Sequence, residues 1–259
     1  MVKILSIVVI FLTCVFSSEA KVIGIMGGMG PYATIDAQRI LLNEYKSSGA
    51  KKDQDYPEFV INMASKTPDR TAYLLNSNKS DPLPYLTKSL KQLENSGASV
   101  IFIDCNTAHA FIDDLYKVKK PNTTILNMIE ETAISIKSEN PKKVLLLATD
   151  GTLKTGIYQK YLGNDVLHPK LGSTEQKIVM DIIYGKYGIK AGYSAQDPRL
   201  PTNETPWAKL QTVLKSFPNV DKIILGCTEL PLAVPQKEKG KFINPVEVVV
   251  KKAIQLSHS

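Results

Sequence analysis

The sequence predicts an α/β protein of two similar halves, each built on an open parallel sheet, with a cleft between them. Three observations carry this. Short apolar runs alternate with helical patterns, as parallel strands with right-handed crossovers require. The runs are apolar throughout rather than alternating, as in strands covered on both faces. Two of them also end alike: Ser99-Val100-Ile101-Phe102-Ile103-Asp104 leads into Cys105-Asn106-Thr107-Ala108-His109, and Lys222-Ile223-Ile224-Leu225 into Gly226-Cys227-Thr228-Glu229.

Taken in order, the chain opens on a different kind of segment. Met1-Val2-Lys3 is a short positive end, Ile4 to Phe16 is almost wholly apolar, and Ser18-Glu19-Ala20 has the small residues of a signal-peptidase site. The run is shorter than the roughly 20 residues a spanning helix needs. Residues 1–20 therefore read as a signal peptide, which makes the mature chain an exported one, periplasmic or secreted; an uncleaved anchor is the alternative. A first strand, Lys21 to Ile25, runs into Met26-Gly27-Gly28-Met29-Gly30-Pro31 and a helix over 32–45. Glycines there let backbone N–H groups approach an anion, and Pro31 suits a first helical turn. The spacing is not that of a dinucleotide fingerprint.

A second strand spans Phe59 to Met63. The turn Thr67-Pro68-Asp69-Arg70-Thr71 then carries an arginine, fit to grip a carboxylate bidentately, into a helix. Asp81-Pro82 opens another helix, with Leu86, Leu90 and Leu93 on one face and a stop near Gly97. After the first cysteine strand the plan repeats. A short strand covers 124–127, a helix 128–138, and a strand 143–148 ends in the polar turn Thr149-Asp150-Gly151-Thr152 before a helix over 155–162. Helices over 174–187 and 203–217 flank Gly188-Ile189-Lys190-Ala191-Gly192. The second cysteine strand, Phe242-Ile243-Asn244-Pro245 and a last helix over 246–256 complete the chain.

The 259 residues suffice for two real cores, and the net charge of +7 is spread over the surface. No basic helix with interleaved aromatics suggests nucleic acid. Outside residues 1–20, Cys105 and Cys227 are the only cysteines. One at the mouth of each half suggests a pair of acid/base groups facing one substrate. Two competing readings stand beside it: buried structural thiols, and a Cys105–Cys227 disulfide, which an oxidising compartment would favour. The Asn-X-Ser/Thr triplets at Asn78, Asn122 and Asn203 matter only for a eukaryotic source.

Several ordered motifs, read together, give a resemblance over essentially the whole mature chain. They are Ile23-Gly24-Ile25-Met26-Gly27-Gly28-Met29-Gly30-Pro31, Pro68-Asp69-Arg70-Thr71, Cys105-Asn106-Thr107-Ala108-His109, Leu147-Ala148-Thr149-Asp150-Gly151-Thr152 and Gly226-Cys227-Thr228-Glu229. The chain resembles the aspartate racemases of the aspartate/glutamate racemase superfamily. The glutamate branch carries His two residues after its second Cys, where Glu229 stands here, and His109 also points to the aspartate branch. Asn244 departs from the family, which carries Asp before Pro.

The resemblance implies a cofactor-independent, often homodimeric enzyme with its active site in the cleft of an Asp/Glu racemase-like fold. One domain would comprise 21–124 and 246–259, completed by the C-terminal helix, and the other 125–245. Cys105 and Cys227 would exchange the α-proton on opposite faces of an amino acid, one as thiolate and one as thiol, with no metal and no pyridoxal. An ordinary thiol titrates near pH 8.5, so helix N-termini and neighbouring groups must assist; His109 and Glu229 are the expected assistants. Arg70 and Lys190 would hold the substrate carboxylates. Asn106, Thr107, Thr149, Thr152 and Thr228, with backbone N–H groups near Met29 and Gly30, would supply hydrogen bonds. Beside aspartate, the same fold admits glutamate, a broader set of amino acids, or dicarboxylate isomerisation. From another class, an exported amino-acid-binding protein without turnover is the alternative, since fold alone does not decide.

Overall fold

Uninterrupted apolar runs become strands covered on both faces. The computed structural model, which describes residues 21–258, arranges them in two parallel sheets. The expected signal peptide, 1–20, lies outside the described residues. The first half contains β1 (Ile23–Gly27), α1 (Pro31–Ser47), β2 (Phe59–Met63), α2 (Arg70–Leu75), α3 (Leu83–Asn95), β3 (Val100–Ile103), α4 (Ile112–Val118) and β4 (Thr124–Leu126). Its sheet order is β2-β1-β3-β4. The second half contains α5 (Met128–Glu139), β5 (Val144–Ala148), α6 (Asp150–Thr155), α7 (Gln159–Leu162), α8 (Thr174–Tyr184), α9 (Pro206–Lys215), β6 (Lys222–Gly226), β7 (Phe242–Ile243) and α10 (Pro245–Ser257). Its order is β5-β6-β7, and Leu167 forms a parallel bridge to Leu145 on the outer side of β5. The second sheet thus repeats the plan of the first.

Side-chain alternation along each central strand builds two cores per sheet. On β3, Val100 and Phe102 face α1 and α10, while Ile101 and Ile103 face Leu86, Leu90 and Leu93 of α3 and Leu115 of α4. On β5, Leu145 and Leu147 face α8 and α9, and Leu146 and Ala148 face α5 and α7. Truncating any one of these leucines to alanine costs about 2–5 kcal/mol. The helix that leaves each sheet packs on the other one. Ile129 and Ile136 of α5 pack against the second sheet, and Val246, Val249, Val250 and Ala253 of α10 against the first. An asparagine starts each: Asn127 Oδ1 accepts from the N–H of Ile129 (3.1 Å) and Glu130 (3.2 Å), and Asn244 Oδ1 from Val246 (3.0 Å). Such a cap is worth about 1 kcal/mol, and Asn244 accepts this bond as an aspartate would.

The structure corrects three expectations. The strand at 124–126 belongs to the first sheet, where Ile101 pairs with Ile125, so the second half begins after β4 rather than at residue 125. The turn at Thr149 enters a helix at once, because Thr149 Oγ1 accepts from Thr152 N (3.2 Å). The helix expected over 155–162 is split at Gly156, which adopts a left-handed conformation with φ 62°. No α-helix begins at the Cys227 turn, so the helix N-terminus expected to assist this thiol is not there: the chain makes a short 3-10 turn, Leu230–Ala233, containing Pro231. Proline offers no N–H to a helical ladder. A 3-10 turn, Thr107–Phe111, also intervenes between Cys105 and α4.

Candidate active site

Parallel strands deliver their C-terminal ends to one edge, and here two sheets turn those edges toward each other. Cys105 and Cys227 are both free thiols, 5% and 6% exposed. The first has a cationic neighbour. Asp69 caps α2, its Oδ1 accepting from Ala72 N at 2.7 Å, which places Arg70 at the helix start with its guanidinium facing Cys105. The guanidinium donates to the carbonyls of Met29 (2.7 Å), Pro68 (3.1 Å) and Thr67 (3.4 Å), and Nε has no hydrogen-bond partner. Part of the fork is thus spent on the protein's own backbone, and Nε is left for the carboxylate contact expected of Arg70.

His109 is also differently employed than expected. A carbonyl only accepts, so His109 Nδ1 carries the proton and donates to Cys105 O (2.9 Å), while Nε2 accepts from Met128 N (3.1 Å). Both ring nitrogens are occupied by backbone groups, and burial lowers its pKa to about 4. The ring is a neutral strut between the Cys105 turn and the start of α5, not an acid/base partner of the thiol.

On the other side Cys227 Sγ donates to Glu229 Oε2 (3.0 Å), which also accepts from Thr228 Oγ1 (3.3 Å). Burial, then the neighbouring Glu229 charge, raises the Cys227 pKa well above an ordinary thiol's. Lys190 forms an ion pair with Glu229 Oε1 and donates to Met29 O (3.0 Å). Burial pulls the ammonium down, but Glu229 and Cys227 outweigh it and the pKa is raised. One carbonyl, that of Met29, thus receives both cations. The turn fits closely: a Cβ added at Gly30 would lie 2.7 Å from Glu229 Oε1 and 3.2 Å from Lys190 Nζ.

The remaining expected residues close the cleft. Thr107 Oγ1 lies 2.9 Å from Thr149 Oγ1 and 3.0 Å from Thr152 Oγ1, and those two are 3.1 Å apart. Asn106 Oδ1 accepts from Tyr158 Oη (2.6 Å), and its buried Nδ2 has no partner. Unspent donors such as Asn106 Nδ2 and Arg70 Nε are what an oxygen-rich ligand would satisfy. Sequence reasoning missed Tyr158, Tyr184, Thr34 and Asp104. Tyr184 Oη bonds Asp69 Oδ2 (3.0 Å) across the cleft, with its ring beside Lys190; no sequence signal singles it out on a helix. Asp104 had a signal, an acid directly after an apolar strand. Among the described residues no group of three or more His, Cys, Asp or Glu stands together to hold a metal ion.

Comparison with known proteins gives a consistent relationship. The family profile described as Asp/Glu/Hydantoin racemase matches residues 26–253. The broad specificity amino-acid racemase RacX of Bacillus subtilis is 30% identical over 150 residues, covering 56% of this chain and 63% of that protein. The glutamate racemase of Aquifex pyrophilus is 30% identical over 162 residues, covering 61% of this chain and 56% of that one. The matches thus span about six tenths of these curated relatives' length. Among solved structures, the Picrophilus torridus aspartate racemase superposes with a TM-score of 0.72 at 29% identity, covering 92% of this chain and 94% of that one.

Proposed function

The chain belongs to the Asp/Glu/Hydantoin racemase family, and from that premise we propose that it interconverts L- and D-aspartate by two-base α-proton transfer between Cys105 and Cys227. One observation carries the reading: two buried free thiols at one cleft have oppositely charged partners, Arg70 beside Cys105 and Glu229 beside Cys227. A two-base racemase needs one thiolate and one thiol at the start of each turnover. Arg70 is a counter-ion for a thiolate at Cys105, while Glu229 holds the proton on Cys227.

The Cys105 thiolate removes the α-proton from one face, and the C–H electron pair passes into the carbanion beside the carboxylate. Cys227 then gives its proton to the opposite face and is left as a thiolate, with Lys190 as counter-ion. The reverse reaction begins from that state. The donors of Arg70 Nε, Asn106 Nδ2 and the Thr107–Thr149–Thr152 cluster are fixed in a site without bulk water, where preorganised dipoles stabilise developing charge most. Aspartate is favoured by the fit to the Picrophilus torridus aspartate racemase and by Glu229. RacX and the glutamate racemase keep a broader or longer substrate as the second reading.

The test is chiral chromatography of L- and D-aspartate and of L- and D-glutamate, with the reduced protein and its Cys105→Ala and Cys227→Ala variants. Each variant should lose racemisation of both enantiomers, by at least about a thousandfold if the thiols act as a unit. Each should keep solvent-deuterium exchange at the α-carbon of one enantiomer, with opposite preferences. Full racemisation by either variant would defeat the two-base reading, and glutamate turned over faster than aspartate would reassign the substrate.

A further inference from the structure

Asp104 follows β3 directly, immediately before Cys105, and is fully buried. Its Oδ2 lies 2.8 Å from Thr34 Oγ1, and its Oδ1 has no hydrogen-bond partner. Thr34 Oγ1 also accepts from Gly28 N (2.8 Å) and lies 3.1 Å from Gly30 O. A hydroxyl has a single proton to give. If Asp104 is a carboxylate, both it and the Gly30 carbonyl require that proton, and one goes without. If Asp104 carries a proton on Oδ2, it donates to Thr34 Oγ1, Thr34 donates to Gly30 O, and all three contacts are satisfied in one relay. An unpartnered Oδ1 is tolerable on a neutral acid and costly on a buried carboxylate.

The turn so held is the one whose Met29 carbonyl receives Arg70 and Lys190, and whose Gly30 abuts Glu229. The groups facing Asp104 are Asp36 from α1, Glu229 from the Cys227 turn, and Lys190 from the 189–191 turn. Burial first, then Glu229 and Asp36, oppose ionisation, while Thr34 and Lys190 favour it; the pKa rises to about 7. With Asp104 neutral, Arg70 and Lys190 balance Glu229 and a Cys105 thiolate; an ionised Asp104 would add a negative charge beneath the turn and oppose an amino acid with two carboxylates.

We propose that Asp104 is a positioning residue that works as a neutral carboxylic acid, fastening the Gly28–Gly30 turn through Thr34, and that its ionisation loosens the turn and weakens binding of an acidic amino acid. The inference rests on the racemase reading of the same site. Infrared difference spectra of the full chain between about pH 6 and about pH 8.5 should show a carboxylic-acid band that vanishes at the higher pH and is missing in Asp104→Asn. Over the same span the KM for L-aspartate should rise by about tenfold with a smaller change in kcat. Asp104→Asn, whose amide donates to Thr34 without titrating, should flatten the KM profile.

The proposal is overturned if no band is lost with Asp104, or if Asp104→Asn keeps the parent's KM profile. Should that variant not fold, Thr34→Val must raise KM at the lower pH to the parent's high-pH value, and Thr34→Ser must restore it; a KM unmoved by Thr34→Val has the same overturning force. The infrared arm needs no turnover, so a chain that shows the band yet racemises nothing retracts the enzymatic reading and leaves the neutral acid standing.

Discussion

His109 and Asp104 stand on one short stretch of chain, and burial moves their titrations in opposite directions. His109 is neutral in the fold down to about pH 4, against 6.5 for an ordinary histidine. The unfolded chain therefore binds the extra proton between those values. Its contribution is complete above pH 6.5 and is lost as pH falls toward 4, by at most about 3 kcal/mol. Asp104 is protonated in the fold up to about pH 7, against 3.8. Its contribution is complete below pH 3.8 and is lost as pH rises through 7, by at most about 4 kcal/mol. In the overlap the two slopes oppose. Denaturant titrations from about pH 4 to 6.5 should find Asp104→Asn losing stability relative to the parent as pH falls, and His109→Gln losing it relative to the parent as pH rises. Two parallel profiles would mean that one of these side chains is not buried as described.

Between elements, the cleft is closed where α2 of the first half meets α6 of the second. Gly151 makes the approach possible: a Cβ there would lie 2.8 Å from Thr71 Cα, 3.0 Å from Thr71 Oγ1 and 3.1 Å from Thr107 Cγ2. The first of these is backbone at a helix start and has nowhere to go. Gly151→Ala should therefore force α6 away from α2 and spread the Thr107–Thr149–Thr152 cluster that spans the same junction. Overpacking of this kind costs about 1–3 kcal/mol. The thermal midpoint should fall by several degrees, and kcat/KM should fall more steeply than that loss alone would give. Wild-type kinetics in a destabilised Gly151→Ala protein would show that this junction packs but does not shape the site.

Across the whole molecule, both halves are tied by exchanged helices, α5 onto the second sheet and α10 onto the first, yet the thiols between them are almost sealed. On the proposed function, substrate entry requires the lips to part. Tyr184, 38% exposed, crosses from α8 to Asp69 of the first half and is the outermost of the cleft-spanning bonds described. A partly exposed hydrogen bond of this kind contributes about 1 kcal/mol. Tyr184→Phe keeps the ring beside Lys190 and removes the bond. Alkylation of Cys105 and Cys227 should then accelerate by about fivefold, while the thermal midpoint falls by no more than about 2–4 °C, the amount expected from losing one such bond. Unchanged alkylation would place the entry route elsewhere.

The sequence by itself determined the two-sheet α/β plan, because unbroken apolar strands must be covered on both faces and turn residues punctuate them. It also determined that Cys105 and Cys227 end corresponding strands, since both follow an apolar run of the same kind. The family resemblance, rather than periodicity, brought Met29, Gly30, Arg70, Lys190 and the threonines into view as site residues, with Glu229 two residues after the second cysteine. Only the tertiary structure decided what each does. Arg70 turns part of its fork to backbone carbonyls and the rest toward Cys105, because α2 starts beside the Met29 turn. His109 is a strut because the α5 N-terminus from the other half arrives at its Nε2. Asp104 is a candidate proton holder because Thr34, Gly28 and Gly30 meet above a strand end where water does not reach. The division has a physical cause. Periodicity and turn chemistry are local and survive in a one-dimensional string, whereas the charge state and hydrogen-bond allegiance of a buried side chain depend on groups distant in sequence that only folding brings within 3 Å or so.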